Sequence, residues 1–159
     1  MGVGTFLIGN RCVTIALMKT FQASTLIHAT PGAIWAILTD ASQYTSWNTT
    51  VDQVQGRIAL GEKVTVHAKI NPGRAFPVQV SEFVPEKKMV WTGGMPLGLF
   101  RGERTFTLNA VSNGLVEFRM IEVYRGLLSP LIEKSIPDLQ PAFEEFAAAL
   151  KKRAEGGKS

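Results

Sequence analysis

Apolar residues near the end of the chain recur at steps of three and four positions. The pattern comprises Ile132, Ile136, Leu139, Phe143, Phe146 and Leu150. This spacing predicts a long C-terminal helix with one apolar face, which must be covered by another element. Because an internal proline removes a backbone hydrogen bond and bends the axis, Pro137 and Pro141 predict a kinked or two-part helix.

Strand-like segments separated by turn residues follow Thr50, and six can be counted. The turns are Gly61, Asn71-Pro72-Gly73, Pro85-Glu86-Lys87, Gly93-Gly94 and Ser112-Asn113-Gly114. Apolar and polar residues alternate from Lys63 to Ile70, which predicts one buried and one solvated face and therefore an antiparallel sheet. The segments lie too close together for crossover helices, so a parallel doubly wound fold is excluded.

One strand and two short helices are predicted before Thr50. The strand covers residues 19–28 and stops at Thr30-Pro31, where Thr can cap a helix and Pro suits its first turn. A helix from Pro31 to about Leu38 is followed by a short helical stretch that ends near Trp47-Asn48. The predicted fold class is α+β, with a curved antiparallel sheet of about seven strands wrapped around the long C-terminal helix.

The turn at 112–114 determines how the last two strands pair. A three-residue loop that ends in glycine favours a hairpin with a G1 bulge. The resulting register sets Leu108 against Phe118, Phe106 against Met120, and Arg104 against Glu122. Apolar residues then face each other, and the charged pair falls on the same inner face. Tyr124 lies further along that face.

A charged pair on an inner, apolar face has three interpretations. Arg104 and Glu122 form a structural ion pair at the rim, where desolvation is partial. Alternatively, they anchor the carboxylate, hydroxyl or carbonyl of a ligand within an apolar cavity. In the third interpretation, Glu122 is a general acid or base.

Length and composition indicate a single soluble domain. The chain has 159 residues, of which 45% are apolar and 19% charged, as in a globular protein. We assign residues 1–17 to an N-terminal extension, residues 18–155 to the domain and residues 156–159 to a disordered tail. A weak signal peptide is the alternative for the extension, which is too short and too interrupted to span a bilayer.

Charge and residue chemistry exclude several functions. The net charge is +4, and the charged residues are scattered along the chain. The chain lacks a basic stripe interleaved with aromatic residues, which is the pattern that would predict nucleic-acid binding. The single Cys12 excludes an internal disulfide and a cysteine metal cluster, and is compatible with the cytosol. His28 and His67 lack metal-ligand spacing. The sequence predicts no metal, no cofactor and no hydrolase triad.

Several local motifs occur in a recognisable order. They are Ala29–Asp40, with its Thr-Pro-Gly and Ile-Trp-Ala-Ile-Leu-Thr-Asp, then Tyr44-Thr45-Ser46-Trp47-Asn48, Gly61, Trp91, Gly102–Leu108 and Glu122–Leu128. Together with the order of elements, these motifs resemble the START-like superfamily, also called SRPBCC, whose fold is the helix grip. The resemblance covers about residues 19–155 and is strongest to the bacterial polyketide cyclase/dehydratase-like branch.

The resemblance implies a cavity between the sheet and the C-terminal helix for a hydrophobic molecule such as a lipid, a polyketide or an aromatic compound. We expect a cytoplasmic, non-catalytic binding protein in which Arg104 and Glu122 orient the polar end of the ligand. The expected lining is Trp91, Phe106, Leu108, Phe118, Met120, Tyr124, Ile136, Leu139 and Phe143. Trp91 has a core position as its equal alternative.

Two other functions stay open on sequence grounds. One is a polyketide cyclase/dehydratase-like enzyme with Glu122 or Tyr124 as proton donor. The other is a module that binds a protein partner through the outer face of the sheet. A homodimer is compatible with the sequence, and no stable membrane insertion is expected.

Overall fold

A computed structural model describes residues 3–8, 11–16 and 19–156. The strands are β1 Val3–Ile8, β2 Arg11–Ala16, β3 Lys19–Ile27, β4 Val51–Gln55, β5 Lys63–Ala68, β6 Ala75–Val84, β7 Lys88–Met95, β8 Phe100–Ser112 and β9 Leu115–Arg125. The helices are α1 Pro31–Thr39, α2 Tyr44–Trp47, α3 Ser129–Ile132 and α4 Gln140–Gly156, with 3₁₀ turns at Ala41–Gln43 and Glu133–Ser135.

Seven antiparallel strands form one curled sheet in the order β3-β9-β8-β7-β6-β5-β4. Strands β3 and β4 are its edges, and every other strand pairs on both sides. The predicted α+β helix-grip fold is therefore confirmed, including the six strands after Thr50 and the two short helices after the first strand of the sheet. Within residues 3–16, assigned to the extension, β1 and β2 form a separate antiparallel pair. Most of the predicted tail, residues 157–159, lies outside the described residues.

Side-chain caps start the first two helical segments where the sequence predicts them. Oγ1 of Thr30 accepts a hydrogen bond of 3.2 Å from the backbone N–H of Ala33, and Pro31 occupies the first turn of α1. Oδ1 of Asp40 then accepts one of 3.1 Å from Ser42 N–H at the following 3₁₀ turn. These caps satisfy N–H groups that have no partner inside a helix.

The C-terminal segment is in two parts, as predicted, but only one of the two prolines lies at the break. Pro137 stands in the non-helical segment between α3 and α4. Pro141 is in the first turn of α4, where its missing N–H removes no helical hydrogen bond, so the predicted interruption at Pro141 is wrong. The apolar repeat therefore continues through α4 alone.

The predicted alternation along β5 holds for only part of the segment. Val64 is fully buried, whereas Ile70, expected on the same face, is 43% exposed. The strand ends at Ala68 and a turn follows, so residues beyond it no longer alternate between the two faces of the sheet.

Helix α4 packs along β3 and β9 and contacts α1 and α2. Phe146 is the centre of this packing. Its ring centroid lies 5.2 Å from Trp47, 6.0 Å from Phe118, 6.1 Å from Phe106 and 6.4 Å from Tyr44. A single side chain of α4 thus joins the sheet to α2.

We expect Phe146→Ala to lower the free energy of unfolding by about 3 to 5 kcal/mol, because it removes a buried ring and leaves a cavity. Urea denaturation measures the loss. Val111→Ala, at a residue 52% exposed, is the control and should change stability by about 0.5 kcal/mol or less. A loss below about 1 kcal/mol for Phe146→Ala would contradict its central role.

Candidate functional site

The β8–β9 hairpin has the register that the turn predicted. Arg104 pairs with Glu122, Phe106 with Met120 and Leu108 with Phe118. Gly114 has a φ of 74°, in the left-handed region that glycine adopts readily, and the register shifts between Ala110 and Ser112 next to the turn. The turn therefore brings the two charges together on the inner face.

Arg104 and Glu122 form a hydrogen-bonded ion pair. Nε of Arg104 donates to Oε2 of Glu122 at 2.9 Å, and Nη2 donates to the same oxygen at 2.5 Å. The side chains are 25% and 12% exposed, respectively. The guanidinium carbon lies 4.8 Å from the centroid of the Phe143 ring, a cation–π contact between the sheet and α4.

Two opposing effects act on the pKa of Arg104. Burial lowers it, because the charged form loses hydration, but the carboxylate of Glu122 raises it and the net pKa lies above the ordinary value. The guanidinium is therefore a permanent cation at the inner face, held beside its carboxylate partner.

Two tyrosines lie near this pair and both resist ionisation. Burial raises the pKa of Tyr44, and Arg104 opposes the shift only in part. Burial also raises the pKa of Tyr124, and the negative charge of Glu122 adds to the effect. The hydroxyl of Tyr44 donates to the carbonyl oxygen of Leu38 at 2.7 Å. Both phenols therefore keep their protons at neutral pH.

The ring of Tyr124 occupies a close-fitting position. It stacks on Phe100 with centroids 5.6 Å apart and meets Phe21 edge-on at 6.3 Å. A Cβ on Gly102 would lie 3.0 Å from Cε1 of Tyr124 and 3.8 Å from Oε1 of Glu122. Glycine at 102 therefore leaves the space that the Tyr124 ring uses beside the carboxylate.

Trp91 extends this site toward the core. It is the β7 neighbour of Arg104, and its ring lies 5.0 Å from that of Phe106. Among the described residues, the shielded Nε1 of Trp91 has no hydrogen-bond partner, and neither has Nε1 of Trp47. Buried donors without a partner are uncommon in folded proteins.

The structure divides the predicted lining residues into two groups. Six are buried in one core cluster, namely Trp91, Phe106, Leu108, Phe118, Met120 and Phe143. Partly exposed are Arg104, Glu122, Tyr124, Ile136 and Leu139. All the predicted residues are thus on the sheet's inner side or the C-terminal segment. Because burial agrees equally with a core role, their role as a ligand lining stays a prediction.

Two surface hollows lie away from the predicted cavity. One, of about 640 Å³, runs between edge strand β3 and the polar face of α4 and includes Gln22, Gln140 and Lys151. The other, of about 190 Å³, lies against β5, β6 and β7. Sequence patterns predict neither, because both depend on how separate elements pack.

Sequence reasoning missed three neighbours of the ion pair. Sequence patterns place Phe21 only in a strand and Tyr44 only in a helix, although Tyr44 belongs to the Tyr-x-x-Trp-Asn motif. Gly102 was missed although the hairpin register already sets it opposite Tyr124. That register was the available signal, since a glycine facing a large ring makes room for it.

The described part of the chain lacks the features of a metal site and of a membrane-spanning helix. It contains no group of three or more His, Cys, Asp or Glu side chains arranged to hold a metal ion. None of its helices combines the length and the apolar character that crossing a membrane requires.

Comparison with known proteins defines the family to which this fold belongs. The sequence profile of the family described as polyketide cyclase / dehydrase and lipid transport matches residues 18–155. The chain belongs to this START-like family.

Individual relatives agree with the fold. A START superfamily protein from Mycobacterium smegmatis has a TM-score of 0.66 at 15% identity, covering 87% of this chain and 99% of its own. An aromatase/cyclase from Streptomyces sp. R1128 has a TM-score of 0.67 at 9% identity, covering 86% and 93%. Oxopyrrolidines biosynthesis cluster protein O from Penicillium oxalicum is 31% identical over 46% of this chain, and the match spans only 45% of that relative.

The two tyrosines of the chain allow a direct test of the buried phenols. Between about pH 10 and the raised pKa values, the unfolded state releases phenolic protons that the folded state keeps. Stability should therefore fall as the pH rises above about 10. Tyrosinate absorbance should appear near pH 10 in urea but only at higher pH in the native protein. If tyrosinate absorbance appeared near pH 10 while the circular dichroism spectrum was still that of the folded protein, the burial of both rings would be contradicted.

A double-mutant cycle tests the ion pair. Glu122→Leu alone should cost about 2 to 3 kcal/mol because it leaves Arg104 without a partner, and adding Arg104→Met should recover much of that loss. The exposed pair Arg57–Glu62, with side chains 77% and 43% exposed, is the control and should show a coupling of about 0.5 kcal/mol or less. Urea denaturation measures the coupling free energy in both cycles. Equal values would show that burial does not strengthen the interaction between Arg104 and Glu122.

Proposed function

We propose that this protein binds a small hydrophobic molecule between the sheet and α4, with Arg104 and Glu122 orienting its polar end. The observation that carries the proposal is a charged pair on the inner face, enclosed by aromatic rings and still partly exposed. Ligand sites are mostly apolar and contain a few polar groups that fix orientation. The family to which the chain belongs includes lipid transport in its description.

The free hydrogen-bonding capacity of Arg104 indicates what the polar end of the ligand carries. Nε and Nη2 bind Glu122, while Nη1 has no hydrogen-bond partner among the described residues. A guanidinium has donors only, so the complementary ligand group is an acceptor oxygen of a carbonyl, carboxylate or hydroxyl. Phe143 and the ring of Tyr124 then flank the adjoining apolar part of the ligand.

Entry to this site is proposed at the end of the sheet where β9 finishes. Ile136 and Leu139, in the segment that precedes α4, are only partly buried. The opposite half of the interior is filled by Phe146 and the rings around it. A ligand that enters beside Ile136 and Leu139 reaches Arg104 without displacing the packed half.

A second candidate is a polyketide cyclase/dehydratase-like reaction. The specific observation in its favour is the position of Tyr124, which lies beside Glu122 on the inner face, is partly exposed and keeps its proton at neutral pH. A group that retains its proton within an apolar site can act as a general acid. Tyr124 or Glu122 would then be the proton donor. The aromatase/cyclase with the same fold shows only that the fold is compatible with such chemistry.

The experiment is native mass spectrometry of freshly purified protein, followed by organic extraction and identification of the released molecule. We expect an apolar molecule with an acceptor oxygen at one end, bound one to one. Arg104→Gln should lower its occupancy about tenfold or more, since it removes a charge-assisted hydrogen bond. Arg57→Gln, at an exposed arginine, is the matched control and should retain the ligand.

Other outcomes separate the candidates. No binding of fatty acids, sterols or aromatic polyketides by the purified protein would contradict the binding proposal. Conversion of a bound polyketide, lost in Glu122→Gln or Tyr124→Phe while binding persists, would favour the enzyme. The same native spectra test whether the protein forms the proposed homodimer. Cell fractionation tests the proposed cytoplasmic location.

A further inference from the structure

We propose that the end of the sheet beside Tyr124 docks on the surface of an anionic lipid bilayer. This inference goes beyond ligand binding and does not require it. The docking surface consists of four exposed apolar side chains, which we call the leucine tip: Met95, Leu97, Leu127 and Leu131.

The leucine tip is unusually exposed for residues of this type. Leu97 is 91% exposed, Leu127 80%, Leu131 77% and Met95 49%. A single exposed leucine needs no explanation, but several at one end of a domain indicate an interaction surface.

Backbone hydrogen bonds hold the two parts of the tip together. The N–H of Leu127 donates to the carbonyl of Gly98 at 3.2 Å, and that of Leu128 donates to Leu99 at 2.8 Å. Gly126 has a φ of 138°, and a Cβ there would lie 2.5 Å from the carbonyl oxygen of Leu99. The β7–β8 turn and the segment after β9 therefore form one continuous surface.

Leu97 is placed at a cost to folding. Its φ is 61°, in the left-handed region where a side chain is strained and glycine is favoured. Because 91% of the residue is exposed, packing within the described chain does not offset that strain. An interaction outside the domain accounts for a leucine at this position.

Basic residues next to the tip favour lipid over protein as its partner. Arg101 and Arg125 lie opposite each other on β8 and β9, with side chains 52% and 47% exposed. Glu103 lies 3.1 Å from Arg101 and 4.0 Å from Arg125, which leaves one net positive charge in this group. Lys134, also exposed, follows Leu131 by three positions. Apolar side chains bordered by cations match the interface of an anionic bilayer.

The position of the tip links it to the candidate ligand site. Phe100, at the start of β8 beyond the tip, stacks on Tyr124, and Gly102 opposes Tyr124 in the sheet. If the proposed function holds, docking here lets an apolar molecule pass between the bilayer and the interior with little exposure to water. Docking itself rests only on the leucine tip and its cations.

The test is vesicle flotation with phosphatidylcholine alone and with added phosphatidylserine. We expect more binding to the anionic vesicles, and weaker binding at higher salt because the cations are screened. Leu97→Asp and Leu127→Asp should each reduce binding about tenfold or more. Leu60→Asp is the control, because Leu60 is 65% exposed in the turn between β4 and β5, at the opposite end of the sheet.

A second variant separates docking from folding. Leu97→Gly should keep or raise the thermal midpoint, because glycine tolerates the positive φ, and should still weaken vesicle binding. Arg104→Gln should bind vesicles as the wild type does, so failure of ligand binding and failure of docking are distinguishable.

Three results would overturn the proposal. The first is no flotation with either vesicle composition. The second is an equal loss of binding in Leu60→Asp and Leu97→Asp. The third is a dimer in sedimentation, without vesicles, that Leu97→Asp abolishes, since the tip would then be a contact between copies of this chain.

Discussion

Burying the guanidinium of Arg104 beneath Phe143 costs hydration free energy. The carboxylate of Glu122 offsets that cost, but only while the β8–β9 register keeps the two side chains opposite each other. The pair therefore constrains both the hairpin and the position of α4. Within the pair, Glu122 raises the pKa of Arg104 above its ordinary value, and it adds to the effect of burial in raising the pKa of Tyr124. An interior built only of apolar side chains would contain neither a permanent cation nor a protected phenol.

The interior has two halves with different roles. Around Phe146, rings from the sheet and from α2 fill the space and hold α4 in place. Around Arg104, the ion pair, Tyr124, Ile136 and Leu139 are only partly buried, and the segment before α4 contains Pro137 rather than a helical turn. The closest packing is thus in one half, and the proposed binding chemistry is in the other. The exposed leucine tip lies at the less tightly packed end, where a ligand would enter or leave.

Prediction from sequence succeeded where the determining interactions are local. Thr30 and Pro31 begin α1, and the turn at Gly114 sets the pairing of Arg104 with Glu122. It failed where distant elements decide. Tyr44, many residues away in sequence, comes close enough to Arg104 to affect its pKa. The wrong prediction for Pro141 has a local cause instead, since proline is as well suited to the first turn of a helix as to a kink.

Residue order alone determined the fold class, the antiparallel pairing and the presence of a charge pair on the inner face, because strand alternation and turn type act over a few neighbouring residues. Only the tertiary structure decided how deeply Arg104 and Glu122 are buried, which rings enclose them, and that Leu97 and Leu127 lie on one surface. Burial depends on which elements pack against one another, and desolvation then sets the strength of every charge in the site.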